Sequence, residues 1–149
     1  QGLTDGVIEI FSAPGDQTIV FAVIGDMTLI PTLEAADQLT QAGYGVKVLA
    51  LISPRRLYRS SDTAWASCSE PDGHCLDDDS FERLFGSDAL IGITGGSSAM
   101  LEPVMLRSRS PRDVFAWKRG ETAASANQVM AINGLTASNF IARAKELLG

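Results

Sequence analysis

TIVFAVIGDMTLIPTLEAADQL, residues 18–39, is the stretch whose reading decides the fold. From Ile19 to Ile24 every residue is apolar and four are β-branched. Alternating strands cover one face, so an unbroken apolar run predicts a strand covered on both faces and central in its sheet. Gly25-Asp26 stops the run, with glycine supplying the tight exit of a strand-to-helix turn. Leu29, Leu33, Ala36 and Leu39 then recur at helical steps, while Glu34, Asp37, Gln38 and Gln41 fall largely on other faces. Pro31 is tolerated only near a helix start. With Thr28 as the cap it takes the third helical position, where no intrahelical donor is required. Gly43 ends the helix, and residues 46–52 read as a second buried strand. Such a strand, helix and strand predict a parallel pair joined by a right-handed crossover.

Outward from this unit the same signals repeat. Residues 7–11, VIEIF, form a short strand interrupted by Glu9, which belongs at a sheet edge or outside the sheet, followed by a turn at Ala13-Pro14-Gly15-Asp16. Residues 89–94, ALIGIT, are a third core strand, and 113–117, DVFAW, a short fourth. Ser80 caps a short helix over 81–85 closed by Gly86, and a further helix includes 104–106. An alanine-rich helix over 123–132 stops at Asn133-Gly134, and Thr136 caps a last helix with Phe140, Ile141, Ala144, Leu147 and Leu148 on its apolar face. The expected fold is α/β, a three-layer, mostly parallel sheet of about five strands with helices on both faces. Its 149 residues suit a single domain, 1–149.

Net charge is −6, which argues against a nucleic-acid partner. There is no long apolar span and no basic, apolar leader, so the expectation is no membrane segment and a cytoplasmic location. Acids concentrate over 70–88 and bases over 107–119. The favoured reading of both runs is solvated surface, and the alternative is mutual attraction or a partner. Cys68 and Cys75 lie in a polar loop with His74; two free thiols are favoured there over a disulfide or a metal site. The loop spans 60–80, and its Trp65 is expected to pack on its own domain.

Candidate chemistry is sparse. Arg55, Arg56 and Arg59 follow the second buried strand at the end where open α/β sheets expose binding loops, so they are candidates for an anion, against the reading of a solvated basic turn. Ser97 and Ser98 follow the third strand in Gly95-Gly96-Ser97-Ser98, a second candidate anion loop. Neither a dinucleotide nor a P-loop fingerprint is present, and Asp26 stands where a phosphate would sit in the first glycine turn. The nucleophile elbow of serine hydrolases is missing too, and Asp77, Asp78 and Asp79 read as a solubilising cluster. No catalytic, cofactor-binding or metal residue is assigned, and no catalysis is expected of the isolated chain.

Two stretches carry a family resemblance. Residues 19–53, IVFAVIGDMTLIPTLEAADQLTQAGYGVKVLALIS, and 120–148, GETAASANQVMAINGLTASNFIARAKELL, resemble the opening unit and closing pattern of the C-terminal domain of transketolase-like, thiamine-diphosphate-dependent enzymes. GETAAS and GLTASN are the most specific pieces, and VIEIF resembles the short strand that follows the family's pyrimidine-binding domain. The middle, 60–112, matches poorly, and Ile93-Thr94-Gly95 replaces the acidic residue with which transketolases commonly end the third strand. The resemblance implies thiamine diphosphate and magnesium in upstream domains, with no residue of 1–149 binding either. It further implies packing against the upstream pyrimidine-binding domain, a role in dimer assembly, and at most peripheral substrate contacts. The expected identity is an excised C-terminal domain of a dimeric enzyme moving two-carbon ketol units between sugar phosphates, in keeping with a start at Gln1. A self-standing regulatory or partner-binding subunit of the same fold is the alternative, and a small anion-binding α/β domain a third reading.

Overall fold

The computed structural model describes residues 6–58, 75–118 and 125–149. Arg59, Trp65, Cys68, His74 and the start of the closing pattern, 120–124, lie outside the described residues. In chain order the elements are β1 (Val7–Ala13), β2 (Thr18–Ile24), α1 (Leu29–Gln41), β3 (Gly45–Leu51), α2 (Asp78–Phe85), β4 (Ala89–Thr94), α3 (Glu102–Met105), β5 (Arg112–Phe115), α4 (Ala126–Ile132) and α5 (Ala137–Leu148). Short 3-10 turns follow β3, at Pro54–Leu57, and β4, at Ser98–Met100.

The strands form one five-stranded sheet in the order β1-β3-β2-β4-β5. β2 is central, and its apolar run is buried from Ile19 to Val23. It pairs in parallel with β3 and β4, and β5 continues the parallel set beside β4. β1 is an antiparallel edge strand on β3, with its register shifted between Glu9 and Phe11. The chain steps from β2 to β3 in one direction and then crosses back to β4 on the other side. Right-handed crossovers taken in opposite directions put their helices on opposite faces.

Each face accordingly has its own core. Phe21, Val48, Ile91 and Ile93 point to one side and meet Ala36 and Leu39 of α1 with Phe140 and Ala144 of α5. There α1 and α5 lie against each other, and the Phe140 ring meets Phe115 edge to face at 4.9 Å. Val20, Ala22, Leu49 and Leu90 point to the other side, under Leu57, Phe81, Phe85 and Leu101. Each such fully buried side chain stabilises the fold by roughly 1.5–3 kcal/mol relative to exposure, which is why the two-sided apolar strand dictates three layers.

Three expectations need correcting. The cap of α2 is Asp77, not Ser80: its carboxylate accepts from the Ser80 N–H at 2.8 Å and the Ser80 hydroxyl at 2.9 Å, and the helix starts three residues earlier than expected. The basic run is not wholly solvated, because Arg107 is buried. Its Nη1 donates to the Leu57 carbonyl at 2.7 Å, its Nη2 to the Leu76 carbonyl at 3.0 Å and to Asp78 at 2.8 Å, and its guanidinium lies 4.3 Å from the Phe81 ring centre. The acidic and basic runs therefore meet at Asp78 and Arg107, while Arg109, Arg112 and Lys118 are exposed. Finally, Cys75 is disulfide-bonded rather than a free thiol.

Candidate functional site

Between β2 and β4 the chain reverses the direction in which it adds strands, and open α/β sheets place their crevice at the carboxyl ends of such a pair. β2 leaves the sheet through Gly25-Asp26, where Gly25 has φ +94, and β4 leaves through Gly95-Gly96. The two exits part to form a cleft of about 320 Å³. Ile24, Met27 and Met100 give it apolar walls, and Asp26, Thr94 and Ser97 are among its polar groups.

Most of those polar groups are already engaged. The buried Thr28 heads α1 without a side-chain cap bond, its hydroxyl only 3.5 Å from the Gly25 carbonyl, while Thr32 Oγ1 donates to the Thr28 carbonyl at 2.7 Å. Thr94 Oγ1 accepts from the Gly96 N–H at 3.1 Å, and the Gly96 carbonyl accepts from the Trp117 N–H at 3.0 Å, which ties this exit to the end of β5. Ser97 Oγ accepts from the Ala99 N–H at 3.2 Å, and Ser98 Oγ donates to Glu102 at 2.7 Å. Both serines thus help shape the turn that starts α3. Asp26 differs: it is exposed, and its carboxylate has no hydrogen-bond partner among the described residues.

Of the candidate loop Gly95-Gly96-Ser97-Ser98, the first three residues line the cleft, as does Asp26, while Ser98, Arg55 and Arg56 are not part of its lining. Arg55 and Arg56 sit on the 3-10 turn after β3, Arg55 exposed and Arg56 half-buried. The Arg56 carbonyl accepts from the Leu76 N–H at 2.8 Å. That turn is joined to the cleft by Tyr58, buried beneath it, whose hydroxyl donates to the Met100 carbonyl at 2.9 Å. Burial raises the Tyr58 pKa above its ordinary value, and the positive charge of Arg55 opposes the rise. Among the described residues the cleft lining holds no histidine, cysteine or basic side chain to pair with a nucleophile. Among the described residues no group of three or more His, Cys, Asp or Glu is placed to hold a metal ion, and no helix is long and apolar enough to cross a membrane.

The closing pattern turns out to be a joint between helices. Ser125 and Gln128 form a reciprocal capping box at the start of α4. The buried Asn133 donates to the Val129 carbonyl at 2.9 Å and accepts from the Lys118 N–H at 2.7 Å, fastening the end of α4 to the chain leaving β5. Gly134 turns with φ +74, Leu135 is buried, Thr136 caps α5, and Asn139 Nδ2 donates back to the Gly134 carbonyl at 3.1 Å. GLTASN therefore orders a turn and a helix start, which is structural work.

No protein-family model and no curated protein sequence matches the chain. Solved structures do. The transketolase of Campylobacter jejuni subsp. jejuni superposes with a TM-score of 0.67 at 14% identity, over 98% of this chain and 19% of its own. That of Leishmania mexicana gives 0.66 at 15%, over 99% and 18%. A split-gene transketolase, described as an inactive β4 tetramer, gives 0.62 at 17%, over 97% and 43%. The chain has the fold of a transketolase C-terminal domain, and it spans about a fifth of the length of the first two.

Proposed function

We propose that this chain is the C-terminal assembly domain of a transketolase-like enzyme, and that it supplies contacts while ketol transfer takes place elsewhere. The observation that carries the reading is the superposition of nearly the whole chain on a minor part of each transketolase. The cleft is in keeping with it: among the described residues its ionisable group is Asp26, which can orient or neutralise a neighbour. Thiamine diphosphate and magnesium then belong to the other domains of the parent enzyme, a two-carbon ketol unit passes between sugar phosphates there, and the assembly is a dimer. A cytoplasmic location goes with this reading; the disulfide at Cys75 weighs against it, because cytoplasmic thiols are kept reduced.

The test is a ketol-transfer assay with a ketose phosphate donor and an aldose phosphate acceptor, run on the chain alone and on the product of the complete reading frame that encodes it. Activity in the second and none in the first is expected. Turnover by the chain alone, or none by the complete product, removes the reading. The split-gene neighbour favours one second reading, a separately encoded subunit of this fold, which predicts a Met-initiated frame of about this size.

A further inference from the structure

We infer that the cleft between the exits of β2 and β4 binds an uncharged, ring-bearing ligand of the nucleoside class, with the ligand's adjacent hydroxyls on Asp26 and its ring against Met27 and Met100. This goes beyond an assembly role and does not depend on it. Met27 follows one strand exit and Met100 the other, and both line the cleft. They are 51% and 45% exposed, so apolar surface stands in solvent inside a concavity. Thioether side chains adapt to the outline of a flat ring and make favourable contacts with aromatic edges. The volume of about 320 Å³ lies at the lower end of small-molecule sites.

Unspent hydrogen-bonding capacity on the lining specifies the polar ends of that ligand. Asp26 has no hydrogen-bond partner among the described residues. An ionised carboxylate only accepts, so it selects an end that carries donors, and its two oxygens match a pair of adjacent hydroxyls. Thr94 and Ser97 are engaged as acceptors, from the Gly96 and Ala99 N–H groups, but neither hydroxyl has an acceptor for its own hydrogen among the described residues. Thr28 adds a third such hydroxyl: it is 0% exposed, lines the cleft, and reaches the Gly25 carbonyl only at 3.5 Å, beyond the usual O–H···O limit of about 3.0 Å. A buried hydroxyl so weakly bonded is one that a ligand acceptor satisfies. The cleft thus offers one strong acceptor, three spare donors and apolar walls.

Charge selects against a phosphorylated ligand. No lysine or arginine lines the cleft among the described residues, and the Asp26 carboxylate repels an anion. The walls are also held in place before anything binds: the Met100 carbonyl accepts from the Tyr58 hydroxyl, and the Gly96 carbonyl from the Trp117 N–H. A preformed cleft spends little of its binding energy on ordering itself.

Methyl NMR of the chain labelled at its methionines tests this with adenosine as the probe. The chain has four methionines; Met105, 3% exposed and in the core, reports the fold, while Met27 and Met100 report the cleft. Adenosine is expected to shift the Met27 and Met100 signals saturably, with a Kd on the order of 0.1–1 mM, and to leave Met105 in place. Dideoxyadenosine lacking both ribose hydroxyls, and adenosine 5′-monophosphate, are each expected to bind at least ~10-fold more weakly, as is adenosine to the Asp26→Ala variant. An unmoved Met105 signal shows that the variant is folded, and the dideoxy comparison stands on the parent chain whether or not it is. Adenosine that moves neither cleft methionine at about 10 mM overturns the site. Equal affinity for the dideoxy compound, or undiminished affinity in the folded variant, removes the role of Asp26 and overturns it as well. Tighter binding of the monophosphate, or of the phenyltrimethylammonium cation, assigns the cleft to an anion or to an organic cation and likewise overturns the nucleoside.

Discussion

Replacing Arg107 with Met keeps the aliphatic bulk of the side chain and removes its donors. The Leu57 and Leu76 carbonyls then lose their side-chain donor in a buried setting, and the Phe81 ring loses its cation. A buried acceptor left unsatisfied costs about 1–3 kcal/mol, and the cation–ring contact about 1 kcal/mol more. Against this, the variant no longer buries a charge or the unpaired Arg107 Nε, so the net loss is roughly 3 kcal/mol. At this chain length that lowers the melting temperature by on the order of 10 °C. Asp78 contributes little, because its side chain is 68% exposed while that of Arg107 is only 2% exposed. Asp78→Asn is accordingly expected to cost less than about 1 kcal/mol. Urea unfolding followed by far-ultraviolet circular dichroism measures both. The reasoning is refuted if Arg107→Met falls within 1 kcal/mol of the parent, as an order-of-magnitude threshold, or if Asp78→Asn costs as much as Arg107→Met.

Other substitutions separate further causes. An added Cβ at Gly92 stands 3.1 Å from Met105 Sδ and 3.3 Å from Leu101 Cδ1, so Gly92→Ala is expected to cost about 1 kcal/mol in repacking and Gly92→Val about 2–3 kcal/mol in thermal melts. Gly25→Ala meets no atom within 4 Å, yet its φ of +94 is one that alanine rarely adopts, so a loss of about 1 kcal/mol is expected from backbone strain alone. The hydrogen bonds from the Ser80 N–H and hydroxyl hold the Asp77 carboxyl below its ordinary pKa. A depressed folded-state value means that the cap stabilises above the unfolded pKa of about 4 and stops doing so as pH falls through the folded value. Melting curves of Asp77→Ala and its parent should therefore lie apart at neutral pH and converge in acid; a constant gap across that range contradicts the assignment.

The parts of this fold that were readable in the sequence are those fixed by short-range chemistry. An all-apolar run bounded by Gly25 announced β2, and the spacing of Leu29, Leu33, Ala36 and Leu39 announced α1 with Pro31 in its first turn. Thr136 was recognisable as a cap because a hydroxyl ahead of an amphipathic run satisfies orphan N–H groups wherever it occurs. Asp77 was hidden by its neighbours: three consecutive acids look like a solvated cluster until the chain direction shows which one precedes the helix. Arg107 carried even less signal, since its burial depends on carbonyls at Leu57 and Leu76, contributed by segments remote in sequence. The Tyr58–Met100 hydrogen bond was hidden for the same reason, since it joins residues forty-two apart in sequence. Asp26 was noticed only as an obstacle to phosphate, whereas the cleft it shares with Met27 and Met100 emerges once β4 is laid beside β2.

A domain with a complete core on each sheet face is well suited to holding other parts of an enzyme in place, because its own stability does not depend on the chemistry it accompanies. Calorimetric titration of the purified chain with thiamine diphosphate in the presence of magnesium puts that division of labour to the most direct test. No saturable heat is expected from the chain, and one site per protomer from the intact enzyme that contains it. A stoichiometric binding curve from residues 1–149 by themselves would contradict the account.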